Sequence, residues 1–330
     1  MYKINDFRSW RDLLGEIISD PQEKQRIAQI LKINPVTLSR WCSSTTKPRY
    51  DNIRLLLEAL PHYQAQFAEF LADDFPQLFN DLKVQEDDIP EIPSAFYGRI
   101  LNAYTSSPPI LRSSTIDILI LQQILAHIDP TQQGLSAIII QCMPPNQHSR
   151  VLSLRKTYGR GTLPWINHDY QTQFFGAESQ VGQAVVSGHP IVVQCRCEKS
   201  RLFPSQLIAQ EESSVAYPIL QADRTAGCLL IICKQPHYFS QMRLDLVKYY
   251  ADLLALAFEP DEFYDLTQIE LGIMPEGNLQ QPLLTRFQSR VTQKMIQSAQ
   301  HHPLTRPQAE ILVWQELEQE LLALTLSINN

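Results

Sequence analysis

No run of apolar residues in this 330-residue chain approaches the ~18–20 that a membrane-crossing helix needs. The longest, such as Cys228 to Cys233, have the length of a strand. The opening Met-Tyr-Lys-Ile-Asn-Asp holds no apolar segment of the kind a secretory signal carries. Cysteine is sparse at six, and Cys142, Cys228 and Cys233 sit inside strongly apolar runs, which points to reduced, buried thiols. Charged residues make up only 19% against 44% hydrophobic, which excludes a chain disordered throughout. No Walker-type loop, Ser/His/Asp set or catalytic carboxylate pair is recognisable, and the eight histidines are scattered, His301-His302 among them. Repeats and low-complexity tracts are absent. The expectation is a cytoplasmic protein with no membrane contact, no metal and no enzymatic activity, and no cofactor can be named.

The length suits two or three domains. A net charge of −7 argues at first against a nucleic-acid partner, because phosphate affinity comes from Lys and Arg. By segment the balance is uneven: residues 1–60 carry +3, residues 61–93 carry −7, residues 94–260 carry +2 and residues 261–330 carry −5. The acidity therefore belongs to a linker region and a tail.

Residues 1–75 read as a bundle of short helices. Phe7, Trp10, Leu13, Leu14, Ile17 and Ile18 recur at helical spacing. Asp20-Pro21 and Asn34-Pro35 are two successive cap-and-start signals, and a further helix runs from Asp51 to Leu60. The stretch from Arg26 to Trp41 has the form of two helices joined by a tight turn, with Ala28 small at the crossing and Leu31, Ile33, Leu38 and Trp41 as a small core. Thr37-Leu38-Ser39-Arg40-Trp41 and the exit loop Lys47-Pro48-Arg49 resemble the Cro/repressor-type helix-turn-helix family. That family usually has Gly in the turn, where φ is positive; Lys32 stands there in this chain. The resemblance implies double-stranded DNA as partner, with Lys24, Asn34, Val36, Thr37, Ser39 and Arg40 at the DNA and Lys47 and Arg49 on phosphates. The alternative is a helical domain that only packs against protein.

Residues 76–93 read as a linker, their stretch 80–93 combining like charges with two prolines. From residue 94 to 260 two helices lead into strands at Leu135–Met143, Val151–Tyr158, Pro190–Cys195, Ser214–Leu220 and Ala226–Lys234, and a helix runs from Ser240 to Phe258. This order predicts an α+β domain, an antiparallel sheet with helices on one face. Val181-Gly182-Gln-Ala-Val185, Ser187-Gly188-His-Pro190, Val215-Ala216-Tyr217-Pro218-Ile219, Gly227 to Ile232 and Phe239-Ser240 together resemble the GAF family over about 112–260. The resemblance implies a sensor fold and a small-ligand pocket, for which Tyr158, Arg160, Trp165, His168 and Phe174 are the candidates. Some GAF-fold proteins reduce free methionine sulfoxide through a cysteine in the Gly-rich segment; this chain has Gly182-Gln183-Ala184 there, so that chemistry is not expected. Cys195-x-Cys197 with His189 offers three ligands where tetrahedral zinc needs four. On one strand the two thiols would share a face and could form a redox switch, with ordinary thiols the default.

The tail, residues 261–330, returns to helix. Thr305 with Gln308 forms a capping pair, and Ile311, Trp314, Leu317, Leu321 and Leu324 make an apolar stripe. That stripe serves either the preceding domain's core or a homodimer. The leading expectation is a multi-domain transcription regulator: an all-α helix-turn-helix bundle, a GAF-like sensor and C-terminal helices that assemble a homodimer. The alternatives are a signalling scaffold without DNA and, behind it, a thiol-dependent enzyme using Cys195 or Cys197.

Overall fold

An Asx-Pro pair opens each of two consecutive helices near the start of the chain. Asp20 precedes α2 (Pro21–Ile30) and Asn34 precedes α3 (Pro35–Cys42). In both, the side-chain oxygen accepts the N–H two residues on at 2.9 Å. Proline at the first helical position sacrifices nothing there, because that N–H has no intrahelical partner. Ser9 caps α1 (Trp10–Ile17) by accepting the Asp12 N–H, three residues on, and α4 (Tyr50–Ala59) follows the exit loop. Trp10, Leu13, Leu14, Ile27, Ala28, Leu31, Leu38, Trp41, Ile53, Leu56 and Leu57 are buried together, with Ile33 packed half-buried against them.

The computed structural model describes residues 9–60, 63, 67, 70–71, 91–145, 149–166, 172–299 and 303–328. The chain divides into two compact units, Met1–Asp88 and Ile89–Asn330. Of the expected linker 76–93, only residues 91–93 fall among the described residues. Among the described residues no helix is long and apolar enough to cross a membrane.

The second unit opens with α5 (Ser94–Ser106) and α6 (Pro109–Ile128), which lead into β1 (Leu135–Cys142). Then come β2 (Leu154–Gly161), β3 (Phe174–Phe175), α7 (Gln180–Ser187), β4 (Ile191–Val193), α8 (Arg196–Leu202), β5 (Ser213–Gln221), β6 (Arg224–Cys233), α9 (Gln241–Leu254) and β7 (Tyr264–Asp265). The sheet order is β3-β2-β1-β6-β5-β4 with β7 added to β6, and each of these pairings is antiparallel. Successive side chains of β6 alternate: Leu229, Ile231 and Cys233 enter the core under α5, α6 and α9, while Cys228, Leu230 and Ile232 enter the core under α7. A strand apolar at every position needs cover on both faces. That corrects the expectation of helices on one face only.

Three C-terminal helices, α10 (Gly277–Leu284), α11 (Phe287–Ser298) and α12 (Arg306–Ile328), complete the unit. Thr305 and Gln308 make the capping contact, Thr305 N–H donating to Gln308 Oε1 at 2.9 Å. Ala309, Val313, Leu317 and Leu321 of α12 are buried with Met143, Phe174 and Met274. The Trp314 ring stacks on Phe287 at 3.7 Å between centroids and meets Phe174 at 5.9 Å. Leu317 and Leu321, of a stripe read as serving either the domain core or a homodimer, are thus used inside the unit, whereas Ile311 of the same stripe stays exposed.

Candidate functional site

The turn between α2 and α3 is built by backbone hydrogen bonds. Ile33 N–H donates to Ala28 O at 3.0 Å and Lys32 N–H to Gln29 O at 3.2 Å, the paired bonds of a Schellman helix stop. Such a stop needs one left-handed residue, and Lys32 has φ +54°. The turn therefore has the positive-φ geometry usually given to glycine, with a lysine carrying its cost of roughly 1–2 kcal/mol. The same stop recurs after α3, where Ser44 has φ +59° and Thr45 N–H donates to Arg40 O at 3.0 Å.

These turns decide which side chains of α3 face outward. Leu38 and Trp41 are buried, so Val36 and Arg40, four residues apart, share the solvent face. Val36, a large apolar side chain, is 55% exposed there. Asn34 is exposed at the start of the helix, its Oδ1 committed to the cap and its amide nitrogen pointing elsewhere. Thr37 and Ser39 are half-buried; Lys47 and Arg49 are exposed in the segment that follows, around a buried Pro48. Lys24 is half-buried on α2, and its charge reaches the Cys42 thiol at the far end of α3, away from the Asn34 end. Arg26 grips Glu23 through a 2.7 Å ion pair and the Ala59 carbonyl at 3.2 Å, so it holds α2 to α4. Between Glu23 and Asp51 the chain contains no acidic residue, while Lys24, Arg26, Lys32, Arg40, Lys47 and Arg49 all lie there.

In the second unit a cleft of about 310 Å³ opens between the loop after α8 and the start of α10. Phe175 and Ile208 are its apolar walls, and Gln173, Ser205, Gln206, Glu276 and Asn278 its polar ones. Gln206 is buried; its Oε1 accepts Gln180 N–H at 2.8 Å, and its Nε2 has no partner among the described residues. Behind it Lys199, 1% exposed, pairs with buried Glu211 at 2.9 Å and donates to Gln180 Oε1 at 2.5 Å. Desolvation lowers the Lys199 pKa and the Glu211 carboxylate opposes that fall. Gln180 Nε2 also donates to Ile191 O at 2.9 Å, so α7, β4 and α8 meet on one amide.

Glu178 and Gln280 tie the cleft's far wall to the sheet. Glu178 accepts from Gly176 N and Met274 N, each at 2.9 Å, and burial raises its pKa against those bonds. Gln280 accepts from Phe174 N at 2.8 Å and donates to Phe174 O at 2.9 Å, serving β3 as a neighbouring strand would. Two glycines of the Gly-rich segment have clear physical roles. A Cβ on Gly182 would fall 2.0 Å from Gly176 O, and Gly188 stops α7 at φ +66°.

Of the five residues expected to line a pocket, the four that are described do not converge. Tyr158 and Arg160 are exposed on β2, because an irregularity in the β1–β2 register sets Lys156 and Leu154 inward instead. Phe174 faces the C-terminal helices, and its neighbour Phe175 is the one at the cleft. Trp165 is buried and braces the loop from behind, its Nε1 donating to Ala209 O at 3.2 Å. His168 lies outside the described residues. Gln180, Gln206 and Glu211 were not singled out from sequence, and Lys199 stood out only as a cation near the Cys195 and Cys197 sulfurs; nothing in the segment between Lys199 and Glu211 shows that the two charges are buried together.

Cys195 and Cys197 are not two thiols on one strand. Cys195 is the N-cap of α8, Cys197 lies in its first turn, and the two are joined in a disulfide. His189 turns its Nδ1 to the Ser187 carbonyl at 2.7 Å.

Residues 120–258 match the family model described as GAF domain. No curated protein matches the chain. The GAF domain of a phosphoenolpyruvate-protein phosphotransferase from Acinetobacter is 16% identical with a TM-score of 0.35, over 49% of this chain and 90% of that one. A type II free methionine-R-sulfoxide reductase from Thermoplasma acidophilum is 15% identical with a TM-score of 0.34, over 46% and 97%. The second GAF domain of DevS from Mycobacterium smegmatis is 16% identical with a TM-score of 0.31, over 44% and 91%. The family match coincides with the curled antiparallel sheet and its flanking helices, and residues 120–258 of this chain are a GAF domain.

Proposed function

We propose that this chain is a sequence-specific DNA-binding transcription regulator, in which α3 reads the major groove and the GAF domain is its signal-sensing module. The observation that carries the reading is the α2–turn–α3 unit, with its left-handed stop at Lys32 and a solvent face bearing Val36 and Arg40 in a stretch free of acidic residues. A helix so presented fits the major groove, with the first helix braced on the backbone. Arg40 is the base-reading side chain, and Val36 is placed to meet a thymine methyl. Lys47 and Arg49 hold phosphates and carry no sequence information.

The cleft beside Gln206 is where a small molecule acts, and its polar lining suits a ligand with hydrogen-bonding groups at one end and an apolar body against Phe175 and Ile208. A homodimer on two half-sites supplies the affinity one weakly basic unit lacks, and the ligand shifts the population of dimers whose spacing fits. The test is a salt-titrated mobility-shift series on sites enriched from fragmented genomic DNA at ~150 mM salt. Arg40→Ala should relax preference by about 1–3 kcal/mol at one base position, and Lys47→Ala should weaken all sequences alike with a shallower salt slope. No enrichment, or two variants indistinguishable from wild type, returns the N-terminal unit to a protein-binding role.

A further inference from the structure

The disulfide between Cys195 and Cys197 encloses a single residue, Arg196, and that residue has a structural task. Arg196 Nη1 donates to Ile208 O at 3.1 Å and to Glu211 O at 3.0 Å, so one guanidinium pins both ends of the 208–211 turn. That turn carries the Ile208 wall of the cleft and the Glu211 partner of Lys199. A bond between residues two apart closes so short a loop that it removes little freedom from the unfolded chain, and it is no staple of stability. It also stands at the surface: Cys197 is exposed and Cys195 half-buried. The free thiols among the described residues lie elsewhere, and burial raises the pKa of Cys142, Cys228 and Cys233, which leaves them unreactive.

We propose that Cys195 and Cys197 are a reversible redox modification site whose state sets the grip of Arg196 on the cleft loop. Peroxide is the oxidant and a dithiol the reductant. The Cys197 thiolate attacks one peroxide oxygen; the O–O bond breaks, water leaves, and Cys197 becomes a sulfenic acid. The Cys195 sulfur then attacks the Cys197 sulfur, the S–S bond forms, the S–O bond breaks, and a second water carries away the thiol proton and the hydroxyl. Two thiols and one hydrogen peroxide yield one disulfide and two waters. A dithiol reverses this through a mixed disulfide, passing two electrons and two protons to the pair and becoming a disulfide itself. In the oxidised chain the backbone on both sides of Arg196 is held, with the flanking Cα atoms 5.4 Å apart. Reduction frees that backbone, and the two hydrogen bonds to the loop are released.

The full-length chain tests this by thiol mapping and hydrogen exchange. After hydrogen peroxide, mass spectrometry should find Cys195 and Cys197 protected from alkylation; after dithiothreitol, both should be alkylated. Reduction should speed amide exchange over residues 203–211 roughly tenfold, the loss of two hydrogen bonds of ordinary net strength, with β6 unchanged. Cys195→Ser with Cys197→Ser keeps a good N-cap and should show the fast loop under either condition. Arg196→Ala should also be fast in both states, and Arg196→Lys should recover part of the protection. The proposal is overturned if peroxide leaves both thiols alkylatable. It is equally overturned if the loop exchanges alike in the oxidised and reduced chains, or if reduction accelerates it as much in Arg196→Ala as in wild type.

Discussion

Glu318 on α12 is 2% exposed, and its carboxyl accepts a hydrogen bond from the Ser153 hydroxyl. Burial pushes its pKa up to about 7 from an ordinary 4.5, with the Ser153 bond opposing the rise. A raised acid of this kind binds in the folded state a proton that the unfolded chain has already lost. Its contribution to stability is complete below pH ~4.5, declines through the interval up to pH ~7, and is gone above that. The span of the shift, at 1.36 kcal/mol per pH unit, corresponds to roughly 3 kcal/mol. Glu318→Gln keeps an acceptor for Ser153 and cannot ionise. The variant should therefore match wild type near pH 4.5 and exceed it by about 2–3 kcal/mol at pH 8. Hydrogen exchange of the α12 amides, corrected for intrinsic rates, reads this directly: protection should rise about 30- to 150-fold at pH 8 and hardly change at the acidic end. Equal protection at pH 8, or a gain larger in acid than in base, would refute the burial argument. Asp117, raised to about 7 chiefly by burial on α6, slopes the same way, so some pH dependence should survive in the variant.

Lys32→Gly removes the left-handed penalty of roughly 1–2 kcal/mol and incurs about 0.5–1 kcal/mol of added unfolded-chain freedom. The net should be a two- to five-fold gain in exchange protection across α2 and α3; a loss would contradict the turn geometry. Lys199→Met alone should cost about 3–5 kcal/mol by stranding Glu211 in the interior, whereas Lys199→Met with Glu211→Leu should recover most of it. Urea denaturation of both, compared with Glu211→Leu alone, completes the double-mutant cycle, and additive losses would show that the pair is not coupled.

Long elements with caps were legible in the sequence. Asp20-Pro21, Asn34-Pro35, Ser240 and Thr305 each mark a helix start within a residue or so of where it lies, because a cap is a local bond between neighbours. The long strands β1, β5 and β6 were visible as apolar runs. β3 and β7 were not, since two residues have no periodicity and pair only because distant segments arrive beside them. The site was less legible than the fold. Tyr158 and Arg160 miss the interior because the register of β2 shifts opposite Ile139 and Ile140, which no composition reveals. Phe174 and Phe175 are adjacent and face different cores, so naming one of an aromatic pair in a strand selects a face at random. Lys199 and Glu211 look like solvated charges until the fold pairs them with each other in the interior, with Gln180 and Ser214 accepting from the Lys199 ammonium.

Gln280 lending its side-chain amide to Phe174 has a practical consequence for anyone cutting this chain. A fragment trimmed to residues 120–258 would lose that edge substitute, the β7 strand on β6, and the helices that cover Met143 and Phe174. It would also lose α5, whose Phe96 and Ile100 lie in the core beneath α9. Such a fragment would present bare amides and an apolar flank to solvent, and its insolubility would say nothing of the intact molecule. Recombinant work on the sensor should take the stretch from Ile92, buried in the same core, through α12 as its smallest piece.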